Sequence, residues 1–315
     1  MHLLGDATPA TIPRLKRALL QRELFPNLVS FFRRPPKRAP VDEPRVAPAL
    51  AGELIHLPSV ASRFLPDPRD ILIYLPTAYR DSPQARFPVL YMQDGQNLFD
   101  PRTAFVPGGD WRLGETVDAT IARGKLAPLI VVGVHHAGTR RIDEYTPTHV
   151  EGSGGGKADL YGRLLVEELK PFVDGTYRTL PGPESTGLGG SSLGGLVTLY
   201  LGLAHPRTFG RLAVMSPSAW WDGEQLVRRV WALREKAETR IWLDVGAQEQ
   251  PSMLQGARRL REALEAKGWE EGRDLAYHEV RGARHDEASW GARAGRALSF
   301  LFPAQRAARR WWRRS

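Results

Sequence analysis

The 315-residue chain contains no cysteine. That excludes disulfides, thiol nucleophiles and cysteine-ligated metal, and leaves the cellular compartment open. It has no uninterrupted apolar run of the roughly 18 residues that a membrane-spanning helix requires. The first thirty residues lack the short apolar core of a secretory signal peptide, so a cytoplasmic protein is the expectation. The body has almost no excess of charge of one sign. The net +9 divides into +5 over residues 1–50, −1 over 51–302 and +5 from Pro303 onward. The basic ends therefore say little about a site in the body, although they suit weak contact with a membrane surface or another anionic surface.

Three further features fall short of a function. Gly152 to Lys157 imitates a phosphate-binding loop, but Glu151 stands where its first glycine belongs and Ala158 replaces the required Ser or Thr. It reads as a flexible loop. His135 and His136 have no third ligand at metal-binding spacing, so neither a metal nor any other cofactor is expected. The tail Arg309-Arg-Trp-Trp-Arg-Arg314 interleaves aromatics with arginines, but a frayed terminus explains it without nucleic acid. The oligomeric state is open.

Gly190-Ser-Ser-Leu-Gly194 has the form G-x-S-x-G. Before it, Pro183–Gly189 can run as a short buried strand. After it, Leu193–Ala204 is small and apolar, as a packed helix would be. Ser192 then sits on a strand-to-helix turn, the setting that exposes a serine nucleophile. Such a turn tolerates little bulk two residues either side of the serine, and Gly190 and Gly194 meet that need. A hydroxyl nucleophile needs a base, and the base needs an orienting acid. Three histidines follow Ser192. His205 precedes a proline at a helix end, and His278 lies inside a strand-like run. His285 follows a late strand in a glycine-containing loop, so it is the candidate base.

The rest of the chain alternates short strands with helices. Strand candidates begin at Glu53, Asp70, Pro88, Pro128, Arg211, Arg240 and Leu275. Helix candidates cover 111–123, 160–173, 226–236, 251–267 and 287–302. That alternation implies a three-layer α/β sandwich, with a mostly parallel sheet of about eight strands and helices on both faces. Residues 1–50 read as a basic helical extension (11–34) with a proline-rich linker, 51–302 as the catalytic domain and 303–315 as a basic tail.

Several segments in order resemble the putative-esterase family of α/β-hydrolases, which includes enterochelin-type, feruloyl and acetyl-xylan esterases and mycolyltransferases. They are Asp94-Gly-Gln-Asn-Leu-Phe99, Arg141 with Glu144-Tyr-Thr-Pro147, Glu168–Asp174 with Tyr177-Arg178, Gly190–Gly195, Ser216-Pro-Ser-Ala-Trp-Trp221, and Gly282-Ala-Arg-His285 with Trp290. The resemblance covers residues 52–302. It implies a serine ester hydrolase working on a small-molecule ester through Ser192, His285 and an acid. It puts the oxyanion hole at the backbone N–H groups of Leu193 and Gln96. Glu249 matches the family's acid position, three residues after Gly246. Asp244 is the alternative acid, and Asp222, Asp286 or a Ser-His dyad stay open. Asp94, Gly95, Trp220, Trp221, Tyr145 and Arg141 are candidates for the substrate pocket, with an Arg141–Glu144 pairing as the competing role for that arginine. Acyl transfer, peptidase or amidase chemistry on the same residues, and non-catalytic acyl or glycan binding, are the alternative functions.

Overall fold

A computed structural model describes residues 50–106 and 109–304. The expected basic helix at 11–34, the proline-rich linker and the Arg/Trp tail lie outside the described residues. Ten strands occur among those described: β1 Glu53–Val60, β2 Arg69–Leu75, β3 Val89–Gln93, β4 Ile130–Val134, β5 His149–Val150, β6 Gly154–Gly155, β7 Thr186–Ser191, β8 Arg211–Met215, β9 Arg240–Gly246 and β10 Leu275–Val280. The helices are α1 Thr77–Asp81, α2 Leu113–Ala122, α3 Arg141–Tyr145, α4 Ala158–Arg163, α5 Lys170–Thr176, α6 Leu193–Ala204, α7 Trp221–Trp231, α8 Pro251–Ala266 and α9 Glu287–Leu301. A π-helical turn, Leu164–Leu169, joins α4 to α5.

Eight strands form one sheet in the order β1-β2-β4-β3-β7-β8-β9-β10. From β4 to β10 every pair is parallel, and the β1–β2 and β2–β4 pairs are antiparallel. Alternation along the strands explains why both faces are covered. Successive side chains on a strand point to opposite faces. Val89 and Tyr91 pack with Leu188, Val214 and Leu243 on one face, against α6 (Leu196, Leu199), α7 (Leu226, Val230) and α8 (Leu260, Leu264). Leu90 and Met92 pack with Val131, Met215 and Trp242 on the other, against α2 (Leu113, Val117) and α9 (Leu298, Leu301). Strands buried on both faces must be apolar throughout, and β4 (Ile-Val-Val-Gly-Val) has every residue buried.

Three expectations shift. The strand before Ser192 begins at Thr186, because Pro183–Ser185 forms a 3-10 turn before the ladder with β3 starts at Val89–Thr186. The helix expected over 226–236 stops at Trp231, and its regular turns follow a kink at Asp222, Gly223 and Glu224, all at positive φ. The glycine-rich segment expected as a loop contributes β6 to a small hairpin with β5. No helix among the described residues is long and apolar enough to cross a membrane.

Candidate active site

Ser192 joins the end of β7 to the start of α6 at φ 58°, ψ −121°, a conformation that side-chain-bearing residues rarely adopt. The surroundings enforce it. A Cβ at Gly190 would come within 2.8 Å of the Gln93 side chain and 2.9 Å of the Gly194 backbone, so the turn closes only over glycine. Ser192 N–H donates to the Met215 carbonyl at 3.1 Å, and Ser218 N–H donates to the Ser192 carbonyl at 3.0 Å. Those bonds tie the turn to β8 and to the loop after it. Leu193 is the first residue of α6, so its N–H has no intrahelical carbonyl to bond. Gln96 lies in the first turn of the 3-10 helix Gly95–Asn97.

His285 reaches the serine from the loop after β10, and Glu249 reaches the histidine from the loop after β9. His285 Nε2 is 3.0 Å from Ser192 Oγ, and His285 Nδ1 is 2.8 Å from Glu249 Oε2. The Glu249 side chain is fully buried and that of His285 is 26 % exposed. Burial alone would raise the Glu249 carboxyl. The His285, Ser216 and Gly246 hydrogen bonds outweigh burial and hold it below the usual glutamate range. His285 and Trp290 pack nearly perpendicular, with ring centroids 4.9 Å apart at 83°.

The competing residues are engaged elsewhere. Asp244 is fully buried, accepting from Arg293 at 3.0 Å and from Trp242 Nε1 at 2.7 Å. Burial lifts its carboxyl above the usual range against the pull of Arg293 and Trp242. Asp286 caps α9 by accepting Ser289 N–H. Asp222 lies in the positive-φ stretch of α7. His205 is the C-cap of α6, and His278 packs against Trp242.

A cavity of about 670 Å³ opens over Ser192 and His285. Its far wall comes from the loops after β3 and β4. Arg141 from α3 makes a bidentate pair with Asp94, both contacts at 2.7 Å. Burial opposes the Asp94 charge, and Arg141 outweighs it, so the carboxyl stays below its usual range. Asp94 N–H donates to the Tyr145 hydroxyl at 3.2 Å. Asp94 is itself at φ 56°. With Ser192 and Ser216 (φ 40°), three non-glycine residues at positive φ follow the C-terminal ends of the neighbouring strands β3, β7 and β8. Strain concentrated at one sheet edge marks a place where backbone geometry is held for a purpose.

Several pocket expectations are corrected here. Trp220 and Trp221 do not line the cavity. The turn after Ser218 carries Trp221 under the small hairpin, where its Nε1 donates to the Thr148 carbonyl at 3.2 Å, and Trp220 packs beside it. Tyr145 is fully buried behind Asp94. Gly95 faces β4, where a Cβ would come within 2.6 Å of the Gly133 backbone. Arg141 pairs with Asp94 because Glu144 is taken by Arg69, in a pair whose side chains are each 1 % exposed. His136 lines the cavity with no metal cluster around it; among the described residues no group of three or more His, Cys, Asp or Glu could hold an ion.

The sequence reading missed Arg293. Its signal was a charge on the apolar stripe of α9, between Trp290 and Ala297. Ser216 and Ser218 were quoted only as part of a motif. Ser218 Oγ lies 3.3 Å from Ser192 Oγ.

A parallel α/β sandwich with a serine on its strand-to-helix turn defines the α/β-hydrolase class. The match to known proteins narrows it. Residues 62–301 match the model of the putative esterase family, so the chain belongs to that family and is a carboxylic ester hydrolase. It is similar to the uncharacterized protein YbbA of Bacillus subtilis, at 25 % identity over 76 % of this chain and 94 % of the relative. It is also similar to the iron(III) salmochelin esterase of Escherichia coli, at 28 % identity over 51 % of this chain, and spans about a third (34 %) of that relative's length. The fold matches a solved ferulic acid esterase with a TM-score of 0.63 at 18 % identity, over 81 % of this chain and 99 % of that one.

Proposed function

We propose that Ser192 is the nucleophile of a serine esterase, His285 its base and Glu249 the orienting acid. Ser192 Oγ attacks the ester carbonyl while His285 Nε2 takes its proton. The Leu193 and Gln96 N–H groups hold the oxyanion, and His285 returns the proton to the leaving alcohol. Water activated by the same histidine then cleaves the acyl-enzyme. The observation that carries this reading is the continuous hydrogen-bond chain from Glu249 Oε2 through His285 to Ser192 Oγ, at 2.8 and 3.0 Å, on the wall of a cavity. The catalytic unit is residues 51–302, and the substrate is a small-molecule ester.

The charge of the cavity bears on which ester. Among the described residues, Asp94, Asp143, Asp286 and Glu287 line it against one arginine, Arg141. Asp94 pairs with Arg141 and Asp143 with Lys157. Asp286 and Glu287 form no ion pair among the described residues. The substrate class is therefore neutral or cationic.

The test is one substrate panel: p-nitrophenyl esters from acetate to decanoate, with the anionic hemisuccinate alongside the butyrate. Wild type is expected to hydrolyse the neutral esters with kcat/KM at least about tenfold above the hemisuccinate, a difference of ~1.4 kcal/mol. Ser192→Ala should be inert on all of them, and a fluorophosphonate should label wild type alone. Full activity in Ser192→Ala would end the triad reading. Equal rates on the two charge types would end the charge reading alone.

A further inference from the structure

Behind Glu249 lies a buried polar cluster to which the mechanism above gives no role. Its hub is the Ser216 hydroxyl, just past the end of β8. Trp290 Nε1 donates to Ser216 Oγ at 3.0 Å, and Arg293 Nη2 donates to it at 2.9 Å. Ser216 Oγ is 2.5 Å from Glu249 Oε1.

Valence fixes the direction of that last bond. A hydroxyl has one proton and two lone pairs, while indole and guanidinium N–H groups can only donate. The two donors fill both lone pairs of Ser216. Its single proton must go to Glu249 Oε1. Gly246 N–H donates to the same oxygen at 2.8 Å. Oε1 is thus committed to two donors, and Oε2 is left for His285.

The far side of the hub is anchored as firmly. Arg293 and Asp244 have side chains 5 % and 0 % exposed, and Ser216 N–H donates to the Asp244 carbonyl at 2.8 Å. In such a dry setting each charge-assisted bond is strong, and an unmade one is costly.

We propose that Ser216 and Arg293 are positioning residues that act on the reaction through Glu249. They hold its carboxylate ionised and rotated so that Oε2 faces His285 Nδ1. This rests on the triad reading above. It also explains why Asp244, on the preceding strand, serves the site without touching the histidine: it holds the arginine that helps hold the acid.

A double-mutant cycle separates this role from simple packing. Ser216→Gly and Arg293→Met are each made in wild type and in Glu249→Ala, and kcat and KM are measured on p-nitrophenyl butyrate. Glycine is chosen because it adopts φ 40° without strain, so Ser216→Gly removes the hydroxyl and little else. In wild type each change is expected to lower kcat about tenfold or more, with KM within about twofold. In Glu249→Ala the same changes should alter kcat less than about twofold, because the group they act through is gone. The downfield Nδ1 proton of His285 should also shift in Ser216→Gly.

Equal losses in both backgrounds, or no loss in wild type, would overturn the proposal. If Arg293→Met does not fold, the Ser216→Gly arm decides alone. Failure of the triad reading looks different: Glu249→Ala by itself would then keep the wild-type kcat.

Discussion

The two walls of the cavity use polar residues in opposite ways. On the wall built from the ends of β7, β9 and β10, the polar groups form an open chain that finishes at the cavity, from Glu249 through His285 to Ser192 Oγ. On the wall built from the loops after β3 and β4, they close on one another. Asp94 takes Arg141, Glu144 takes Arg69, and the Tyr145 hydroxyl accepts Asp94 N–H. The first wall leaves the Ser192 hydroxyl at its end, the group proposed as the nucleophile. The second leaves no side chain so placed, and instead fixes the loop that carries the Gln96 N–H. Breaking the first wall should therefore cost rate, and breaking the second should cost stability.

The largest expected effect is on rate. Glu249→Ala removes the carboxylate bonded to His285 Nδ1, and under the proposed triad kcat should fall by about 10³–10⁴-fold with KM little changed. The thermal unfolding temperature should fall only modestly, because Ser216 O–H and Gly246 N–H lose an acceptor but Arg293 keeps Asp244 as its counter-ion and no charge is stranded. A variant that lost stability but kept its rate would reverse the contrast between the walls.

Next comes the buried pair. Asp94→Asn leaves the Arg141 guanidinium buried and without its carboxylate; the two side chains are 9 % and 11 % exposed. Breaking one partner of such a pair costs about 3–5 kcal/mol. Asp94→Asn with Arg141→Met should recover part of that in denaturant titrations, because no charge is then stranded. If the pair were catalytic, the double variant would stay as stable as wild type and be dead. If it holds the loop, stability and kcat should fall and recover together.

The same contrast explains what could be read from the chain alone. Ser192 was legible because its requirements are local: glycine two residues before and after, a strand behind and a helix ahead. His285 followed from chain order and loop placement, and Glu249 from its position after β9 together with a family motif. The second wall was not legible in this way. Asp94 and Arg141 are 47 residues apart, and spacing does not say which of two nearby carboxylates an arginine takes. Trp220 and Trp221 show a second limit. A motif orders residues along the chain, but the turn after Ser218 decides which side of the sheet edge they face, and that turn sends them away from the cavity. The three-layer fold was the most legible feature, because burial on both faces makes β3, β4 and β8 near-continuous apolar runs, and helical stretches separate such runs along the chain.

The smallest expected effect sharpens the comparison at the seam between the walls, where His136 lines the cavity beside Asp94 and Arg141. Burial pushes its pKa from 6.5 down to about 4, against the pull of Asp94. Its Nδ1 accepts Gly138 N–H at 2.9 Å, so a proton at Nδ1 would set two donors against each other. The folded pKa is below the unfolded one. Between those values the unfolded chain takes a proton that the folded chain refuses. Stability is therefore full above about pH 6.5 and declines as pH falls towards 4, by at most about 2–3 kcal/mol from this one residue. His136→Asn keeps an acceptor near Nδ1 and cannot titrate in this range. Urea unfolding at pH 7 and pH 4.5 should show wild type losing more stability than His136→Asn, and other titrating groups cancel in that difference. Parallel losses would mean that His136 is as easily protonated in the fold as outside it. The second wall would then be wet and open, not closed on itself.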